Sequence, residues 1–205
     1  MNLGTTHVLK RELVDVPAAV RAAPAPCVPT FADPFALRLV DPDTDDPELI
    51  ASWMSRPHLA ETWEQPWSAA QYRVDSQARL AGTYSRPCIL SYDGNEIAYV
   101  ELYRAAKDEC GAIYDSDPWD MGFHIATADT TLLGKGIVSE WMAVLAERIW
   151  ELEPLCTRIV VDPDYRNTPM RKALAKRGYE DLGEFDVRPD RRIALFAKSR
   201  PLRGS

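Results

Sequence analysis

The sequence lacks several features that would assign it to common protein classes. None of its apolar stretches approaches the roughly 20 residues that cross a bilayer, and its N-terminus has no apolar signal-peptide region. Its four cysteines lie far apart, without the Cys/His spacing of a metal site. With 31 acidic and 24 basic residues, the net charge is −7, and no basic run interleaves with aromatic residues. We therefore expect a cytoplasmic protein without a membrane span, a metal or a nucleic-acid partner.

Proline divides the chain into two unequal parts. Residues 1–34 contain many alanines and few large apolar groups, together with Pro17, Pro24, Pro26, Pro29 and Pro34. We predict an irregular Pro-rich arm there, with one short helix near residues 8–14 and no part in the chemistry. Residues 35–205 are long enough to bury one core without metal or disulfide support, so we predict a single domain after the arm.

Apolar periodicity and turn residues predict mixed strands and helices in this domain. The predicted strands cover residues 35–40, 88–92, 97–103, 121–126, 159–161, 179–187 and 193–198. The predicted helices cover residues 49–54 and 69–80, a segment that starts at Gly134 or Gly136, and a segment that Asn167 begins. Asp93-Gly94-Asn95 is typical of a hairpin turn between two of these strands.

A glycine-containing turn, Thr131-Leu132-Leu133-Gly134-Lys135-Gly136-Ile137, opens the third predicted helix. A helix N-terminus presents unpaired N–H groups and the positive end of its dipole, which suits a pyrophosphate such as that of coenzyme A. Gly134 and Gly136 would let phosphates approach the backbone, and Lys135 would add positive charge. A lone Gly-x-Gly is more simply an ordinary turn, but its position one unit before Asn167 favours phosphate binding.

His124 and Asp162 carry the acid–base chemistry that the sequence offers. His124 lies inside one predicted strand and Asp162 ends the neighbouring one, so both can face the same cleft. Taken singly, each is better explained by packing or by a turn before Pro163. Together they suit general base catalysis at neutral pH. Asp164 and Asn167 are interpreted equally well as turn and cap residues or as direct contributors.

Several segments together resemble the acyltransferases of siderophore biosynthesis, which have the GNAT fold. They are Trp53-Met54-Ser55-Arg56-Pro57-His58-Leu59-Ala60, Trp63, Trp67, Gly82-Thr83-Tyr84-Ser85, Glu101-Leu102-Tyr103-Arg104-Ala105-Ala106-Lys107-Asp108, Gly122-Phe123-His124 and Asp162-Pro163-Asp164-Tyr165-Arg166-Asn167. The family that these motifs match best is the mycobactin lysine N-acyltransferases, and the resemblance extends from Phe35 to Phe196. In the GNAT pattern, an Asn begins the last core helix and a Gly-aromatic pair, here Gly178-Tyr179, ends it.

The resemblance implies an α/β fold with a central mixed β-sheet flanked by helices. It implies N-acylation of an amine or N-hydroxyamine on a lysine-like side chain, which gives an amide or hydroxamate for iron chelation. The donor would be acyl-CoA or an acyl carrier protein, and His124 and Asp162 stand at the catalytic positions. The alternatives are another acceptor, such as hydroxycadaverine, hydroxyornithine or an aminoglycoside, and a non-catalytic binder of acyl-CoA or carrier protein.

The resemblance also sorts the remaining candidate residues. The donor site would contain Thr131, Gly134, Lys135, Gly136, Ile137 and Asn167. The substrate site would contain His58, Trp63, Trp67, Tyr103 and Asp164, although tryptophans more often pack in a core or lid. Glu101, Arg104, Lys107 and Asp108 are predicted to be mostly solvated surface.

The sequence departs from the family pattern at two positions. Thr131 replaces the usual Arg or Gln, and Leu174 replaces the Tyr that often protonates the leaving thiolate. Neither motif contains a cysteine, which disfavours a covalent acyl-enzyme.

Overall fold

A computed structural model describes residues 8–63 and 65–201, which form a seven-stranded sheet flanked by helices. The strands are β1 (Phe35–Leu39), β2 (Ser85–Tyr92), β3 (Asn95–Arg104), β4 (Met121–Thr127), β5 (Arg158–Val161), β6 (Glu180–Arg188) and β7 (Arg191–Ser199). The helices are α1 (Ala18–Ala22), α2 (Asp46–Met54), α3 (Pro57–Trp63), α4 (Ala69–Ala81), α5 (Ile137–Leu152) and α6 (Thr168–Lys176). The predicted α/β class with a mixed central sheet is therefore confirmed.

The sheet has the strand order β1-β2-β3-β4-β5-β7-β6, and its pairs are antiparallel except for β4 with β5. Within the described residues, β4 and β5 are paired at two positions, Met121 with Ile159 and Gly122 with Val160. Strand β4 continues through Thr127 beyond the last of these rungs. The two strands therefore part after Gly122, and a cleft opens in the middle of the sheet.

The two faces of the sheet bury different clusters because side chains alternate along a strand. One face packs against α5 and α6 through residues such as Phe123, Trp141 and Leu174. The opposite face packs against α2 and α4 through residues such as Ile50 and Tyr99. His124 follows Phe123 in β4 and so lies on the face opposite to α5, which places it on the side of α3.

Most of the predicted elements are present, with boundaries shifted by a few residues. The hairpin turn between β2 and β3 is confirmed, since Asp93 and Gly94 both have the positive φ that such a turn requires. Helix α3 was not predicted, because the prolines and aromatic residues around it hide its helical character. None of the helices within residues 8–63 and 65–201 has the length and apolar character of a membrane span.

The short helix predicted near residues 8–14 is wrong. Residues 11–13 instead run alongside residues 107–109, with Leu13 N–H donating to the Lys107 carbonyl at 2.8 Å and Glu109 N–H donating to the Arg11 carbonyl at 2.9 Å. Helix α1 lies further along the arm and begins directly after Pro17. Proline has no backbone N–H to donate, so it is tolerated at the start of a helix but not in its interior. The arm thus lies against the domain through a short antiparallel pairing.

Candidate active site

His124 is buried in the sheet, directly opposite Glu101 of β3. Its Nε2 lies 2.8 Å from Oδ1 of Asp162, and its Nδ1 lies 3.3 Å from Oε2 of Glu101. The ring of Tyr103 stacks on the imidazole with ring centroids 4.4 Å apart, and Trp63 contacts it edge-on at 6.1 Å. Burial by itself lowers the pKa of His124, but Asp162 and Glu101 outweigh it and the net pKa is raised.

Asp162 follows the last residue of β5 and is 1% exposed. Besides His124, its carboxylate accepts a hydrogen bond from the Tyr103 hydroxyl at 2.6 Å and lies 3.3 Å from Arg191 of β7. Burial alone would raise the pKa of this carboxyl, but His124 and Arg191 lower it well below its usual range. Asp162 is therefore a fixed anion that holds the imidazole in one orientation.

Glu101 provides a second buried carboxylate beside His124. Its Oε1 accepts from the Tyr99 hydroxyl at 3.0 Å and lies 3.2 Å from Arg79 of α4, which leaves Oε2 for the imidazole. Burial disfavours the charged form, yet Arg79 and His124 together lower the pKa of Glu101 to about 2. The imidazole thus faces one carboxylate at each ring nitrogen.

The expectation that Glu101, Arg104, Lys107 and Asp108 belong to a solvated surface is wrong, because all four are buried. Glu101 serves the site, and the Tyr84 hydroxyl donates to Asp108. Arg104 and Lys107 bind the arm and are considered below. Their burial depends on partners far away in the chain, which a local charge pattern does not reveal.

Gly122 makes room for Tyr103, its direct partner across the β3–β4 ladder. A Cβ atom built at Gly122 would lie 2.3 Å from Cζ and 2.7 Å from the hydroxyl oxygen of Tyr103. Such distances are far inside van der Waals contact, so the ring occupies the space that a side chain at position 122 would need. The glycine is therefore required for the stacking of Tyr103 on His124 and for its hydrogen bond to Asp162.

A cavity of about 670 Å³ lies beside β4, between α3 on one side and α5 and α6 on the other. A smaller cavity of about 70 Å³ adjoins it and is lined by His124, Asp162, Arg11 and Arg191. Both cavities share part of their walls, namely Thr62, Trp63, Ile125, Asp164, Asn167 and Met170. His124 and Asp162 thus lie in the small cavity, which meets the large one along these shared residues.

Of the six residues predicted for the donor site, Gly134, Gly136 and Asn167 line the large cavity. Both glycines have positive φ, and Gly136 immediately precedes the first residue of α5, as predicted. Thr131 turns away, with its N–H and hydroxyl bound to Asp129, while Lys135 is exposed and Ile137 packs toward the core.

Asn167 is a helix cap that also lies at the cavities, so the cap role is confirmed and the direct role stays a prediction. Its Oδ1 accepts from the Met170 N–H at 3.2 Å and caps α6, while the residue also lines both cavities. The sequence analysis did not single out Lys172 and Lys176, which also line the large cavity from α6. Their spacing of four residues, which puts two side chains on one helix face, is the signal that would have found them.

The five residues predicted for the substrate site divide in the same way. Trp63 and Asp164 line both cavities, and His58 lines the large one, with its Nε2 3.0 Å from the Thr127 carbonyl. Tyr103 lies beneath the site and orients Asp162. Trp67 packs instead on Tyr72, with ring centroids 5.4 Å apart.

Arg11 of the arm also reaches this site, which the sequence analysis did not foresee. One of its terminal nitrogens lies 3.2 Å from both ring nitrogens of His124. Its side chain is 5% exposed and lines the small cavity. The arm, which was expected to stand apart from the chemistry, therefore contributes a charge to the centre of the site.

The sequence is also similar to that of known proteins. The acetyltransferase (GNAT) domain model matches residues 42–187. The chain is 46% identical over 193 residues to the lysine N-acyltransferase MbtK of Mycobacterium sp. (strain MCS), covering 94% of this chain and 78% of that protein. It is 27% identical to the N(6)-hydroxylysine O-acetyltransferase of Escherichia coli, covering 81% of this chain and 52% of that protein.

The fold is also that of solved acetyltransferases. AAC(6')-Ib in complex with ribostamycin and coenzyme A has a TM-score of 0.72 and 26% sequence identity, covering 82% of this chain and 94% of that chain. The domain model covers more than half of this sequence, and the mycobacterial relative matches nearly all of it. The chain is therefore an N-acyltransferase that belongs to the lysine N-acyltransferase family of GNAT acetyltransferases.

Proposed function

We propose that this protein transfers an acyl group from a thioester donor to the side-chain nitrogen of lysine or N6-hydroxylysine during siderophore biosynthesis. The observation that carries the proposal is the meeting of two cavities at Trp63 and Ile125, with His124 and Asp162 on one side and room for a thioester on the other. The relatives' lysine and hydroxylysine acceptors support the choice of amine.

Acyl-CoA is the proposed donor. The N-terminus of α5 and the positive-φ residues Gly134 and Gly136 offer backbone N–H groups to a pyrophosphate, and Lys172 and Lys176 offer charge across the cavity. The coenzyme A complex of the same fold supports this donor. An acyl carrier protein carries its acyl group on a similar phosphate-bearing arm and is the alternative donor within the proposal.

In the proposed reaction, the amine nitrogen attacks the thioester carbonyl and forms the amide bond as the carbon–sulfur bond breaks. A backbone N–H of β4 beyond Gly122, where the strand has parted from β5, stabilises the oxyanion. Asp162 orients the ring of His124 and holds its proton on Nε2, so the proton of the attacking nitrogen goes to Nδ1, where the contact with Glu101 is the longer of the two at 3.3 Å. The buried Leu174 offers no proton to the thiolate, so the thiolate leaves as an anion or takes a proton from water.

The acceptor cavity favours a slender amine. Its volume of about 70 Å³ suits the end of an extended alkyl chain better than a sugar ring. A lysine amine has a pKa of about 10.4 and must lose a proton before it attacks, whereas a hydroxylamine nitrogen is mostly neutral already. The site can therefore acylate both lysine and N6-hydroxylysine, but the reaction of lysine depends more strongly on a general base.

A thiol-release assay tests the proposal, with acetyl-, succinyl- and long-chain acyl-CoA offered against lysine, N6-hydroxylysine, hydroxycadaverine and kanamycin, and with mass detection of products. Turnover of lysine or hydroxylysine is the expected result. Preference for hydroxycadaverine or kanamycin would mean that the proposed acceptor is wrong. Tight coenzyme A binding without turnover of any amine would favour a non-catalytic binding role.

The variant His124→Ala tests the assigned base in the same assay. We expect kcat/KM for lysine to fall by about 10²- to 10⁴-fold, the usual contribution of a general base, and to fall less for N6-hydroxylysine. His58→Ala, which removes an imidazole from the wall of the large cavity, is the matched control and should alter mainly the KM for the donor. Equal losses on both amines with His124→Ala would contradict the proton-transfer role.

A further inference from the structure

Arg11 is held at the active site by the backbone of the arm. The pairing of residues 11–13 with residues 107–109 fixes the main chain at Arg11 and after it, and the Glu12 N–H donates to the Leu9 carbonyl at 3.3 Å. Leu9, two residues earlier, is buried against Tyr103 and its neighbours. This part of the arm is therefore built into the domain next to the residue that stacks on His124.

The backbone conformation of Arg11 is unusual. Its φ is 72°, in the left-handed region that residues with a side chain seldom adopt. Such a conformation persists where the surroundings determine it, and it is found most often at functional sites. Here it turns the guanidinium inward, toward His124.

The guanidinium lies over one face of the imidazole. A nitrogen that is 3.2 Å from both Nδ1 and Nε2 cannot lie in the ring plane, because it would then overlap the carbon between them. Tyr103 stacks on the ring as well, and the opposite face is the one left for Arg11. The in-plane positions of the two nitrogens remain directed at Glu101 and Asp162, so Arg11 acts on His124 through its charge.

The charges around His124 are unbalanced without Arg11. Two carboxylates at its ring nitrogens stabilise the imidazolium, which has no lone pair for a further proton. Burial by itself lowers the pKa of His124, Asp162 raises it, and Arg11 lowers it. The titratable or charged groups that face the ring or its partners come from the arm, α4, residue 84, β3, residues 108 and 109, the end of β5, and β7. They are Arg11, Arg79, Tyr84, Tyr99, Glu101, Tyr103, Asp108, Glu109, Asp162 and Arg191.

We propose that Arg11 is a positioning residue whose charge opposes the protonation of His124 that its two carboxylate partners favour, so that more of His124 is available as the proton acceptor of the transfer reaction. The inference rests on the proposed function of His124 as the base. Arg11 itself touches neither donor nor acceptor in this scheme. The arm thereby becomes part of the machinery that sets the working pH of the enzyme.

The test is the pH dependence of kcat/KM for the amine at saturating acyl-CoA, compared between the wild-type enzyme, Arg11→Met and Arg11→Lys. In Arg11→Met, we expect the acidic limb to move upward by about one pH unit, which lowers kcat/KM about tenfold on that limb. The alkaline plateau should stay within a few-fold of wild type, and Arg11→Lys should keep the wild-type limb. Arg21→Met, which removes an exposed cation of the same arm, is the matched control.

Two outcomes would overturn the inference. A lowered plateau with an unmoved limb would mean that Arg11 merely supports the fold. A lower KM for the amine and a higher kcat/KM at every pH would mean that Arg11 occupies the place of the substrate cation.

A second measurement does not depend on turnover. The chain has three histidines, so the imidazole of His124 can be followed by NMR titration and assigned with His124→Gln. The pKa of His124 should rise in Arg11→Met and stay unchanged in Arg21→Met, and an unchanged value in Arg11→Met would refute the inference. A wild-type enzyme that turns over no amine would instead count against the proposed function, whatever the titration shows.

Discussion

Replacing Gly122 by alanine should damage both stability and catalysis, because a single methyl group would enter the space of the Tyr103 ring. The added Cβ would lie 2.3 Å and 2.4 Å from two ring carbons of Tyr103. The backbones of Gly122 and Tyr103 are paired across the ladder, so the ring has to withdraw. Withdrawal would break the 2.6 Å hydrogen bond from its hydroxyl to Asp162 and disturb the stacking on His124.

The size of the effect follows from these two losses. Overpacking of this kind costs about 1–3 kcal/mol. A buried carboxylate that loses a hydrogen bond costs about 1.5–3 kcal/mol more. We therefore expect Gly122→Ala to lower the free energy of unfolding by about 3 kcal/mol or more. A misaligned His124–Asp162 pair should lower kcat by about a hundredfold, as displacements near 1 Å do elsewhere.

Urea denaturation and steady-state kinetics of the purified variant would measure both effects. Gly82→Ala is the matched control, because its new Cβ would meet the Ala78 carbonyl at an ordinary 3.4 Å. A double-mutant cycle with Tyr103→Leu adds a stricter check, since removal of the ring should relieve most of the stability penalty of Gly122→Ala. If Gly122→Ala were as stable and as active as Gly82→Ala, the argument that this glycine exists to seat Tyr103 would be refuted.

Two further predictions concern acid stability and the donor. The pKa of Glu101 is lowered in the folded state to about 2, so its stabilising effect is full above its unfolded value and is lost as pH falls from about 4.5 toward 2. Glu101→Gln should therefore be less stable than wild type in urea denaturation at pH 7, and the difference should shrink at pH 3; a constant difference would contradict the ionic role. Lys172→Ala and Lys176→Ala should each raise the KM for acyl-CoA several-fold at low salt with less effect on kcat, while Lys135→Ala, at an exposed position outside the cavity lining, should change it less. A larger effect at Lys135 would restore the donor-site role that the sequence analysis gave it.

The parts of the fold that are written locally in the sequence could be predicted from it. Asn167 caps α6 through its own side chain, and Gly178 ends that helix with a positive φ. Both signals lie within a dozen residues of each other and need no knowledge of the rest of the chain. The same is true of Gly136 before α5 and of the β2–β3 turn. The relation of His124 to Asp162 was predictable for a different reason, because the resemblance to the GNAT family implies which strands are neighbours.

The electrostatics of the site could not be predicted in this way. Arg11 and His124 are 113 residues apart, and no periodic pattern links an irregular arm to the middle of a sheet. Glu101 looked like one charge in a polar segment, and its burial makes sense only with Arg79, which comes from a different element. A charge pattern in the sequence gives the sign of each side chain's charge. It does not identify the distant partner that compensates for the lost hydration of a buried charge, so long-range ion pairs are missed.

The burial of Arg104 and Lys107 has a physical origin in the arm. An irregular, proline-rich segment leaves backbone carbonyls without the partners that a helix or sheet would supply, and each needs a donor when it is buried. Arg104 donates to the Pro24 carbonyl at 2.8 Å and pairs with Glu153, while Lys107 donates to the Ala23 carbonyl at 2.7 Å. Buried cations at the end of β3 are therefore the donors that an arm without regular structure requires. An arm that packs on the domain in this way buries cations that a local charge pattern assigns to solvent.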